Sequence, residues 1–138
     1  NRPANMFVAG FIGAPKMNFL PLQAGSGALR LPGGAVLPGM QAAEGMVLGL
    51  RPEHIALGPA RSCGLAWSGT LRLIERLGGL SNLHVDLPDG TGLVVQTDGG
   101  FDGRPGDALD LWADRARLHL FDSAEQRVDL EARRTEPA

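Results

Sequence analysis

The chain has 138 residues, of which 43% are hydrophobic and 20% charged, a balance that supplies one compact core and excludes a chain left disordered for want of apolar surface. A formal net charge of −2 gives no basic footprint for a phosphate backbone or an anionic bilayer, so nucleic acid is not an expected partner. The single cysteine, Cys63, excludes an intrachain disulfide and fits a reducing, cytoplasmic setting, and no apolar stretch reaches the ~20 residues of a membrane helix.

Residues 1–14 read as a short amphipathic helix: Pro3 suits a first helical position, and Met6, Phe7, Phe11 and Ile12 recur at helical intervals until Pro15. From there the apolar period shortens to two, the signature of half-buried strands. Phe19 to Leu22, Ala28 to Leu31, Ala35 to Leu37 and Met46 to Leu50 are short strands, separated by Gly25-Ser26-Gly27, Pro32-Gly33-Gly34 and a polar loop. Gly69 to Leu77 follows, with Leu71 and Leu73 alternating with Thr70 and Arg72; then Leu83, Val85 and Leu87 alternate with His84 and Asp86. Pro88-Asp89-Gly90 marks a tight turn into Leu93 to Thr97, which completes a hairpin. Beyond a loop at 103–107, Leu109 and Leu111 alternate with Asp110 before Trp112. Leu118, Leu120 and Phe121 form another strand, and Val128 and Leu130 recover the pattern after a turn at 122–126. Residues 131–138 read as a flexible tail.

The expected class is therefore mainly all-β: an OB-like barrel over residues 15–130 preceded by a short N-terminal helix. Twenty glycines and ten prolines punctuate it, and the pairs at 33–34, 78–79 and 99–100 read as turns, lacking the strand-to-helix setting of a dinucleotide loop.

Catalytic patterns are missing. Phosphoryl transfer needs a glycine-rich cradle and a lysine, yet Lys16 is the sole lysine and GxxxxGK[ST] does not occur. His54, His84 and His119 are too far apart in sequence for a recognised metal motif, and Ser62 and Cys63 match no nucleophile signature. Asp98, Asp102 and Asp107 stand in glycine-rich loops, where carboxylates usually accept backbone hydrogen bonds. The distinctive polar group is Arg51-Pro52-Glu53-His54, an arginine fork and a carboxylate on either side of a turn-setting proline. It suits pairing within the barrel or with a second subunit, and less often a ligand.

Four strings, in order, resemble the C-terminal region of the ATPases of maltose- and glycerol-3-phosphate-type ABC importers: NRPANMFVAGFIGAPKMNFLP, GMVLGLRPEHIALG, GTLRLIERLGGLSNLHVDL and LHLFD. The resemblance implies that 1–14 close a nucleotide-binding domain and that 15–130 form a regulatory, transport-associated (TOBE-type) barrel. It further implies a module that is not itself an enzyme, with no catalytic, cofactor or metal site of its own. ATP and Mg would belong to the nucleotide-binding domain, outside this fragment.

The implied partners are that domain, a second copy of the subunit, the membrane permease subunits and a regulatory protein, at the cytoplasmic face of the membrane. Arg51, Glu53, His54, His119 and Phe121 are the expected contact or regulatory positions. The alternative expectation is a small-molecule module binding an oxyanion in an OB-like cleft.

Overall fold

A computed structural model describes residues 16–25, 28–37, 45–61, 64–122 and 127–128; the helix expected over 1–14 and the tail at 131–138 lie outside the described residues. Among the described residues twelve strands occur in chain order: β1 (Asn18–Pro21), β2 (Gln23–Gly25), β3 (Ala28–Arg30), β4 (Val36–Leu37), β5 (Val47–Leu50), β6 (Ala56–Leu57), β7 (Gly64–Arg76), β8 (Leu80–Asp86), β9 (Gly92–Asp98), β10 (Ala108–Asp114), β11 (His119–Phe121) and β12 (Arg127–Val128). Two 3-10 turns, Pro52–His54 and Arg115–Arg117, are the only helical turns among the described residues. The chain is the β-rich, OB-like fold that the alternation foretells.

The strands form three antiparallel sheets in the orders β1-β5-β11-β12, β6-β10-β7-β8-β9 and β2-β3-β4. Register aligns leucines because side chains of paired residues share a face. Leu20, Leu48 and Leu120 lie opposite one another across the first sheet, and Leu71, Val85 and Leu93 across the second; all six are at most 3% exposed. Leu29 faces Leu37 in the small third sheet. The inward faces of all three sheets merge into a single hydrophobic cluster, with a satellite of Met17 and Phe121 beside it.

The turns obey their chemistry. At 88–90 the Gly90 N–H donates to Leu87 O at 2.8 Å, and Gly90 takes φ 92°, a conformation that only glycine adopts without strain. Asp98 accepts from Gly100 N at 2.8 Å and Asp107 from Arg104 N at 2.9 Å, the turn-capping role expected for these loop acids.

Simple alternation mislays one residue. Leu71 and Leu73 read as the same face, but a β-bulge between them inserts Arg72 and leaves Leu73 opposite His84 on the wet side, 38% exposed. The longest strand also begins five residues earlier than the pattern suggests, because Gly64, Ala66 and Ser68 are too small to register as a strand signal until β10 pairs with them.

Candidate functional site

The Arg51–His54 segment becomes a 3-10 turn for local reasons. Pro52 starts it with a fixed φ, is itself buried, and the His54 N–H closes onto Arg51 O at 2.9 Å. The second 3-10 turn is capped by Asp114, whose carboxylate accepts from Ala116 N at 2.9 Å. The two turns meet because β5 runs into the first and β11 leads out of the second. With His119 paired to Gly49 in antiparallel register, residues 51 and 117 reach the same end of the sheet.

At that corner Arg117 Nη1 lies 3.2 Å from His54 Nε2. A guanidinium only donates, so Nε2 is the acceptor and the imidazole carries its proton on Nδ1. Nδ1 is buried and has no hydrogen-bond partner among the described residues. Burial first, then the positive charges of Arg117 and Arg51, hold the His54 pKa below the ordinary imidazole value, and the Glu53 carboxylate opposes them. Arg51 and Glu53 make no ion pair among the described residues. The corner thus presents two arginine heads and one carboxylate around a neutral imidazole, which is equipment for binding an acidic group or pairing across an interface.

The five positions singled out by sequence part company here. Glu53 is exposed, while Arg51 and His54 are half-buried in the same turn. His119 is buried on β11, and Phe121, at 1% exposure, packs edge-on to Phe19 with ring centroids 6.0 Å apart. Gly49 makes room for this packing: a Cβ there would stand 2.5 Å from Met17 Sδ and 3.0 Å from the Phe121 ring. Arg117 was missed. It lies 63 residues from His54, and only the β5–β11 pairing brings the two together, so no local pattern announces it.

Two other surfaces are built differently. On the outer face of β7–β8, His84 Nε2 lies 2.8 Å from Glu75 Oε1 and Arg72 Nε 3.1 Å from Asp86 Oδ1. The hydrogen bond from His84 lowers the Glu75 pKa. A cleft of about 230 Å³ is lined by Pro32, Gly33, Ala35, Trp67, Ser68 and Pro88. Its walls are mostly apolar, and the Trp67 indole N–H, unpaired among the described residues, is buried out of solvent reach, so the cleft offers little polar grip. Among the described residues no three His, Cys, Asp or Glu side chains are grouped to hold a metal ion, and no helix is long and apolar enough to cross a membrane.

The described residues form a small, three-sheet, OB-like β fold with a polar corner where the two 3-10 turns meet. Residues 48–121 match the family model described as the TOBE domain, more than half of the chain, and the chain belongs to that family. The glycerol-3-phosphate import ATP-binding protein UgpC of Cereibacter sphaeroides is 40% identical over 128 residues, covering 92% of this chain and 36% of that protein. Its counterpart from Chromohalobacter salexigens is 39% identical over 137 residues, covering 96% and 37%. The maltose/maltodextrin import ATP-binding protein MalK of Mannheimia succiniciproducens is 32% identical over 134 residues, covering 86% and 36%. The chain thus spans little more than a third of the length of these relatives. Among solved structures, the molybdate-bound cytoplasmic molybdate-binding protein ModG shares the fold, with a TM-score of 0.60 and 17% identity over 80% of this chain and 97% of that one.

Proposed function

We propose that this chain is the regulatory and dimerisation domain of the ATP-binding subunit of an importer for a sugar or related solute. The observation that carries this reading is the 40% identity to a glycerol-3-phosphate import ATP-binding protein, which extends over 92% of the chain. The module works by tethering. A persistent contact between two copies keeps their ATP-binding portions at high effective concentration, and a regulator that prefers one geometry shifts the balance between states. ATP and Mg belong to the ATP-binding portion, the permease subunits contact that portion, and the complex sits on the cytoplasmic face of the membrane.

Arg51, Glu53 and His54 are the proposed contact positions, since they share one turn and carry unpaired or half-exposed polar groups. His119 and Phe121 support that turn from within by fixing β11 against β5. Sedimentation of the chain across a dilution series tests the reading. A concentration-dependent dimer that Arg51→Ala weakens at least about tenfold, with unchanged thermal stability, is the expected result; a strict monomer at millimolar concentration overturns it. The chain alone should turn over no ATP.

A second reading, an oxyanion-binding module, draws on the two arginine heads beside His54. Calorimetric titration with molybdate, sulfate, phosphate and a sugar phosphate decides it: tight binding to any of them, lost in Arg117→Ala, favours this reading over the first.

A further inference from the structure

Asn18 joins strands that are not otherwise hydrogen-bonded. Its register places it opposite Leu50 in β1–β5, while its carboxamide reaches β9, the outer strand of the second sheet, at a residue 76 positions away. Oδ1 accepts from Val94 N at 2.8 Å and Nδ2 donates to Val94 O at 2.8 Å, so one side chain reproduces both hydrogen bonds of an antiparallel residue pair. The second Nδ2 hydrogen goes to Leu50 O at 3.1 Å, tying β5 into the same node. The orientation of the amide follows from this network, since the Val94 N–H requires the oxygen.

Among the described residues no backbone hydrogen bond runs between β1 and β9. The seam between the two sheets is closed by a carboxamide in place of a strand ladder. We propose that Asn18 is a latch, and that releasing it opens the β1–β9 seam locally while the β7–β8–β9 meander stays folded. Asn18 opens β1 and stands three positions after residue 15, so motion delivered from the N-terminal side reaches the barrel at the latch; this consequence, unlike the latch itself, rests on the tethering function proposed above.

Amide hydrogen exchange on the 138-residue chain, as wild type and as Asn18→Ala, reads the seam at Val94 and the meander at Leu83 and Val85. The latch predicts that protection at Val94 falls at least about tenfold in the variant while Leu83 and Val85 change by less than about twofold, a sub-global opening. Unchanged protection at Val94 overturns it, and so does an equal loss at all three amides, which would make Asn18 part of the global core. Should Asn18→Ala fail to fold, the near-isosteric Asn18→Asp decides. It keeps an acceptor for the Val94 N–H but turns a carboxylate toward the Leu50 and Val94 carbonyl oxygens, and the same selective loss at Val94 is expected. The mass of the chain in solution bears on the dimer and leaves this result untouched, so the two ideas fail separately.

Discussion

The β7–β8–β9 meander and the β1–β5–β11 sheet bury similar leucines by different means. In the meander each strand pairs with its neighbour in sequence through turns such as 88–90, so its contacts are local. In the other sheet, β5 lies between strands about 30 residues before it and 70 after it, and the hydrogen bonds from β1 to β9 come from one side chain, Asn18. Local pairing costs little loop-closure entropy, whereas the distant pairings must be bought by burial. The polar corner and the latch both fall on the second kind of structure.

The largest expected effects test whether these regions are energetically one. Leu48→Ala in the distant sheet and Leu83→Ala in the meander each remove a side chain that is 0% exposed from the same cluster, and each should lower unfolding free energy by about 3 kcal/mol. Urea denaturation followed by two probes checks this. Separate transitions for the two regions would break the barrel into independent units.

A smaller effect belongs to the corner. His54 titrates below its unfolded value, so the folded state resists protonation. The contribution of His54 is fully present above the ordinary imidazole pKa and is lost as pH falls through the lowered one. Thermal melts between pH 8 and pH 5 should therefore show stability declining with acid. Arg117→Gln should flatten that decline by removing one charge, leaving burial and the Arg51 charge as the remaining causes; an unchanged slope would detach Arg117 from the site.

On the meander's wet face, a double-mutant cycle on Arg72 and Asp86 should return less than about 1 kcal/mol, because both side chains are largely exposed. The smallest effect is the most discriminating for register. Leu73→Thr should change stability by less than about 0.5 kcal/mol if the bulge turns residue 73 outward, and by 2 kcal/mol or more, about the core value, if strict alternation held.

Much of the fold was legible in the sequence wherever the information is local. Leu83, Val85 and Leu87 point inward as their spacing says, and Pro88-Asp89-Gly90 turns because glycine alone tolerates the φ required there. The Arg51–His54 turn was visible for the same reason, through Pro52. What spacing missed came from insertion and pairing. One extra residue at Arg72 moved Leu73 to the other face, and the small residues 64–68 became strand only beside β10.

The sequence by itself determined the class of this molecule, a leucine-lined, OB-like β fold, because period-two burial and turn residues act over a few positions along the chain; its TOBE membership rests on the family match over residues 48–121. Only the tertiary structure decided that Arg117 reaches His54 and that Asn18 reaches the Val94 backbone, since groups 63 and 76 residues apart meet only after the sheets between them have set the register.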